Sequence, residues 1–299
     1  MSQTTPPSTA VRRLPIWMTV AATYRSVLVE HLRLLPKAAF APFLISLALQ
    51  IAHTSLAGIA DPQTGTPPQA GLAGLVFALL GFVPYVIFGV AWHRLVLLGP
   101  AAAPPSLMPG WRARHWRFYG FVLLITLALA LLVVLFWAAI ALVTGIGQSL
   151  EAEGATPEAI APGAWWLLVL GVPAVILVVG WLAARLSFVF PAAAVDERYG
   201  LTNAWQQTRG QGLRIFAAFV LVSLPPLAAS FLLIMVSGGS VYLVAPPQGE
   251  PGAAAVTLGS VTVFAMTVGM IVIGYISMAL GVTVLSKAFQ ACSGWVPDE

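Results

Sequence analysis

Residues 118–144 read FYGFVLLITLALALLVVLFWAAIALVT. No Asp, Glu, Lys or Arg interrupts this run. Coiled at about 1.5 Å per residue, it is long enough to cross a hydrocarbon core of about 30 Å. Lipid offers no hydrogen bonds to a bare backbone, so the only spanning structures are helices and closed β-barrels. Barrel strands alternate polar and apolar residues. Phe121 to Val143 does not alternate, so the run is a transmembrane helix.

Working outward, the same reading recurs along the chain. Of its 299 residues 59% are hydrophobic and 8% charged, against roughly 25% charged in ordinary globular chains. Six spans are expected, at about 38–57, 72–97, 118–144, 165–190, 215–243 and 254–287. The fold class is therefore all-α, a polytopic integral membrane protein. Residues 1–16 are expected to be a disordered, Pro-rich tail, 17–290 one membrane domain, and 291–299 a short C-terminal tail. Little chain is left for a separate soluble domain. Arg12 and Arg13 raise the question of a signal peptide, but Thr19, Thr23, Tyr24 and Arg25 interrupt the apolar core that one requires. Residues 17–35 read instead as an amphipathic helix lying in the interface. Trp17, Val20, Ala21, Tyr24, Val27, Leu28, His31 and Leu35 follow helical spacing on one face, with Ser26, Glu30, Arg33 and Lys37 opposite.

The charges fix an orientation. Between spans one and two the only charged residue is Asp61. Between three and four stand Glu151, Glu153 and Glu158, and between five and six Glu250. All 14 Lys and Arg residues belong to the other side. Arg12, Arg13, Arg25, Arg33 and Lys37 precede span one. Arg94, Arg112, Arg114 and Arg117 surround the second join, Arg185, Arg198, Arg209 and Arg214 the fourth, and Lys287 ends span six. Bases in short loops remain in the cytoplasm. Both termini are thus expected inside, in a bacterial inner membrane. The same rule accounts for the net charge of +4 without invoking nucleic acid.

Catalytic signatures are missing from the sequence. No Asp or Glu lies within a span, where proton relays place them. His31, His53, His93 and His115 fall in separate segments without metal-ligand spacing, and Cys292 is the only cysteine. No enzyme activity, metal or cofactor is expected. Span one carries a polar stripe, Ser46, Gln50, His53 and Thr54, on one helical face. It reads either as a candidate polar cavity or, more often for such residues, as interhelical hydrogen bonding. Pro225-Pro226 in span five predicts a kink. Ser277 and Gly281 form a small-xxx-small pair of the helix-packing type.

The fourth join is the most distinctive stretch. Gly200 precedes a short helix that Thr202 would cap, with Ala204, Trp205 and Thr208 on one face and Gly210 as its stop. Arg185, Arg198, Trp205, Arg209 and Arg214 are the candidate lipid- or partner-binding residues, facing anionic headgroups, with Asp196 and Glu197 as internal partners. The run RLSFVFPAAAVD at 185–196, then Gly200 and AWQQTRG at 204–210, resembles bacterial inner-membrane proteins of the YciC-like type and the membrane domain found beside glycerophosphodiester phosphodiesterases. AWHRLVLLG at 91–99 and RHWR at 114–117 carry the same resemblance. It implies a six-span layout. It implies no activity, because the phosphodiesterase's catalytic acids belong to a soluble domain that has no counterpart in these residues. The expected function is a non-enzymatic accessory or organising protein that binds membrane lipid, or a membrane or cytoplasmic protein partner, through basic cytoplasmic helices. A permease or channel-like component for a small solute is the alternative. An ABC-type coupling helix at the fourth join is disfavoured by the lack of that family's E-A-A…G pattern.

Overall fold

A computed structural model describes residues 14–57, 72–102, 110–144, 164–244 and 253–297. The joins holding Asp61, Glu151, Glu153, Glu158 and Glu250 lie outside the described residues, as does the N-terminal tail up to residue 13. Among the described residues there are helices and no strands. In chain order they are α1 (Ile16–Arg25), α2 (Leu35–Ala57), α3 (Leu72–Leu98), α4 (Ala113–Thr144), α5 (Ala164–Leu186), α6 (Val189–Ala194), α7 (Leu201–Gln207), α8 (Gly212–Val244) and α9 (Ala253–Ser293). Six of them, α2, α3, α4, α5, α8 and α9, are long and apolar enough to span a membrane, α5 together with α6.

The long helix α9 packs against α8, α3 and α2. The helices α3, α4, α5 and α8 follow one another, each touching the next, and α9 closes the ring between α8 and α3. Large side chains fill one end of this bundle. Phe88, Trp92, Phe188 and Phe289 are fully buried there. Glycine admits a close approach of α8 to α9: a Cβ on Gly281 would meet the Phe219 ring at 3.0 Å. Gly281 of the Ser277–Gly281 pair thus sits at a packing seam. Polar groups join α3 to α9. Trp92 Nε1 donates to Thr283 Oγ1 at 2.9 Å, and His93 Nδ1 lies 2.8 Å from Ser286 Oγ. The hydroxyls of Thr283 and Ser286 donate to carbonyls one turn back, at Ala279 and Val282. Hydrogen bonds of this kind hold helices together where lipid supplies no hydrophobic drive.

The first helix departs from expectation. The single interfacial helix expected over 17–35 is replaced by α1, a π-helical turn at Ser26–Glu30, and a turn into α2. The packed face is Thr19, Thr23, Ser26 and Val27, while Trp17 is 73% exposed and Met18, Leu28, Val29 and Leu32 stand outward with it. Thr19 and Thr23 donate their hydroxyls to Pro15 O and Thr19 O within their own segment. That leaves a slim, satisfied surface on which α8 and α9 pack closely. The bulky residues are turned away.

Span four also differs. The helix stops at Leu186, and Val189–Ala194 forms a separate turn-length helix. Phe188-Val189-Phe190 reads as continuing apolar sequence, which hid the break. Pro191 enters in the first turn of α6, where its missing N–H costs nothing. Ala192, Ala193 and Ala194 are buried where α6 tucks in beside α3 and α4.

Pro225 and Pro226 do not end α8, which stays helical from Gly212 to Val244. Pro226 has no N–H to give to the carbonyl four residues back, that of Val222. The Tyr24 hydroxyl donates to that carbonyl at 2.9 Å. Burial pushes the Tyr24 phenol above its ordinary value, which keeps it protonated as a donor. The helix α1 thus supplies the hydrogen bond that the proline withholds.

Candidate lipid and partner interface

The bases of the fourth join separate into two kinds. Arg185, at the end of α5, is 9% exposed. Its guanidinium lies 3.5 Å from the centre of the Trp205 ring and 5.5 Å from that of Trp181. Its Nη2 donates to Trp205 O, and Thr208 Oγ1 donates to Arg185 O at 3.0 Å. Gly212 is needed here, because a Cβ would come within 2.8 Å of Arg185 Cγ and 2.9 Å of Trp181 Nε1. Arg185 therefore seats α7 against α5 and faces protein. Arg214 is half-buried and donates to Leu14 O at 3.3 Å. Gln211 Oε1 accepts the Leu14 N–H at 3.2 Å. Those two contacts anchor the start of α1. Arg198 and Arg209 are exposed, and Trp205 is partly so.

Gly200 is itself the N-cap of α7, in extended conformation, with no side-chain cap. Thr202 lies inside the first turn and does not cap it. Gly210, at φ +74°, turns the chain after Thr208 as expected. Tyr199 braces the loop by donating to Gln207 Oε1 at 2.7 Å, its own phenol pushed up by burial.

Asp196 and Glu197 do not pair with the bases of their own join. Asp196 adopts φ +65°, a left-handed conformation that Asp tolerates better than most residues. Its carboxylate is directed at the second join. Arg114 Nη1 lies 2.8 Å from Oδ2, Arg117 Nη2 3.0 Å from Oδ1, and Arg94 Nη1 3.9 Å from Oδ2. Glu197 Oε1 accepts from Trp295 Nε1 at 2.9 Å. In the sequence Arg94, Arg114 and Arg117 read as orienting bases and as part of a resemblance, not as a site. The available signal was arithmetic, since so few acids share a side with so many bases.

The polar stripe of span one is brought to a second place. Ser46, Gln50 and His53 line a cavity of about 290 Å³ between α2 and α3, with Phe77, Tyr85 and Ile271 on its walls. Ser46 Oγ lies 2.8 Å from Tyr275 Oη, and Tyr275 stacks on Tyr85 at 5.8 Å. Thr54 faces its own helix, donating to Gln50 O at 2.9 Å. A larger cleft of about 490 Å³ lies among α4, α5, α8 and α9, and its walls are almost wholly apolar. Among the described residues no group of three or more His, Cys, Asp or Glu side chains is placed to hold a metal ion. Set beside known proteins, the chain matches no family model, no curated protein and no solved structure.

Proposed function

We propose that this is a non-enzymatic accessory or organising protein of a bacterial inner membrane, oriented with both termini in the cytoplasm, that binds anionic lipid through its basic end. One observation carries the reading. At a single end of the bundle, exposed bases and exposed large apolar side chains stand close together. Arg209 is two residues from Gln211, which holds Leu14, and Leu14 leads directly into Trp17 and Met18. Amphipathic surfaces of this composition settle at the headgroup layer, apolar groups in the acyl boundary and bases on phosphate. Arg33 and Lys37 extend the basic surface beyond Leu32.

Replacing Arg198 and Arg209 together with Gln is expected to reduce retention of phosphatidylglycerol by the protein purified in mild detergent. Each base near an anionic surface contributes about 1 kcal/mol, roughly fivefold in binding. The loss should shrink as salt is raised, because the pairing is exposed and screened. Unchanged retention in native mass spectrometry would remove these two bases from lipid binding.

The orientation has its own test. Reporter fusions after residues 65, 155 and 249 are expected to report outside, and fusions after 108, 203 and 299 inside. A single inversion overturns the six-span topology.

The cavity lined by Ser46, Gln50 and His53 supports a second reading, a permease-like component for a small polar solute. A solute-uptake defect in Gln50→Leu, with lipid retention intact, would transfer the conclusion to it.

A further inference from the structure

We infer that the second and fourth joins together form a phosphate-binding site for the headgroup of an anionic lipid, built on Arg94, Arg114 and Arg117 around Asp196. The inference rests on the lipid-binding reading above and gives it a location that the exposed bases of the fourth join do not.

The first argument is charge balance. Three guanidinium groups stand within 4 Å of one carboxylate, and Arg112 adjoins them in sequence. All of these bases except Arg94 also lie at the start of α4. The N-terminal end of a helix carries partial positive charge, so bases are ordinarily unfavourable there and anions favourable. The first turn of α4 contains no acid. A single aspartate leaves this cluster with excess positive charge, which a phosphodiester would reduce.

The second argument is unsatisfied hydrogen bonding. The Arg114 side chain is only 14% exposed. Its Nη1 lies 2.8 Å from Asp196 Oδ2. Nearby, Trp111 Nε1 is buried and has no hydrogen-bond partner among the described residues. Buried donors of this kind are normally paired. Arg94 is tied by its own donation to Ala194 O at 3.2 Å, so the cluster is held in place from α3 and α6 as well as α4. Guanidinium groups so fixed match phosphate oxygens in geometry as well as charge.

The third argument separates a lipid from a free anion. Trp116 is 64% exposed and packs edge-on against Trp111 at 5.3 Å, with Tyr119 beyond it. Amphipathic rings of this type belong at the membrane interface. They set the arginines at headgroup depth, where the abundant phosphate is that of lipid.

The test uses the full chain in mild detergent, with phosphatidylglycerol, phosphatidylcholine and inorganic phosphate as probes. Arg114→Gln is expected to lower phosphatidylglycerol retention about fivefold. Asp196→Asn removes the competing carboxylate and is expected to raise it by a similar factor. Phosphatidylcholine retention should move little in either variant. This opposition of sign is what a purely structural clasp does not produce. If both variants lower retention in step with thermal stability, the cluster is only a clasp and the inference falls. Arg117→Gln, at a more exposed position, repeats the test where Arg114→Gln fails to fold. If inorganic phosphate displaces the lipid as readily as added phosphatidylglycerol does, the site takes free anions and the lipid assignment is overturned. If Arg198→Gln/Arg209→Gln loses lipid while Arg114→Gln and Arg117→Gln do not, lipid binding stands and this location fails. If none of them loses lipid, both readings fail.

Discussion

Trp92→Ala is expected to destabilise the bundle by roughly 3–5 kcal/mol, the usual cost of removing a buried tryptophan. The side chain is fully buried, stacked on Phe88 at 5.5 Å and met edge-on by His31 at 6.2 Å. It links α3 to the turn before α2, and through Thr283 to α9. Its loss opens a cavity where three segments meet. Trp92→Phe separates the contributions, because it keeps most of the ring and deletes only the N–H. That variant should cost far less, about 0.6 kcal/mol for a membrane hydrogen bond of this type plus a small volume term. Reversible unfolding in mixed micelles measures both. A Trp92→Ala loss below about 1 kcal/mol would mean that the packed end of the bundle collapses around the gap far more readily than cores usually do.

Arg185→Ala should unseat α7 at a net cost of about 2 kcal/mol. A desolvated cation over an aromatic face contributes about 2 kcal/mol, and a hydrogen bond from a charged donor about 1.5–3 kcal/mol. Relief of burying the charge offsets part of that sum. Among the described residues no carboxylate lies within ion-pair distance of Arg185, so the two indoles and the Trp205 carbonyl are its anchors. Limited proteolysis is expected to cut newly within 198–211. The effect should be the same at low and high salt, since buried contacts are poorly screened. Arg185→Lys should fail to rescue, because an ammonium does not stack as a planar guanidinium does. A salt-sensitive loss of bound lipid with α7 still protected would instead return Arg185 to the membrane surface.

How far the sequence reveals this arrangement follows from the range of each signal. The six spans were legible because each declares itself within one window of apolar residues, as 118–144 does. The short helix at Leu201–Gln207 was legible too, bounded by Gly200 and Gly210. The inward face of α1 was not. Hydrophobic periodicity marks Trp17, Ala21 and Leu28 as the face for the membrane interface and says nothing of the close-packed face, whose residues are small, as Thr19, Thr23 and Ser26 are here. Arg185 was misplaced for a related reason. An arginine at a span end reads as a headgroup contact, and only the fold brings Trp181 and Trp205 to it. The convergence of Arg94, Arg114 and Arg117 on Asp196 depends on the turn of α6, which an unbroken apolar reading of 188–190 conceals. The polar stripe of span one was legible as a face, and its meeting with Tyr275 across more than two hundred residues was not.

The hydroxyl of Tyr24 on the Val222 carbonyl has a temporal consequence. That carbonyl lacks its helical partner because residue 226 is proline, so α8 is incomplete until α1 lies against it. The neighbouring ties, Leu14 to Gln211 and Arg214 to Leu14, join the same distant parts of the chain. In chain order four spans, α2, α3, α4 and α5, lie between α1 and α8, so α1 is synthesised well before its partner. The exposed Trp17 and Met18 of α1 can hold it at the membrane surface meanwhile. A segment made before the spans thus finds its place only after α8 has been made, and it locks the bundle late.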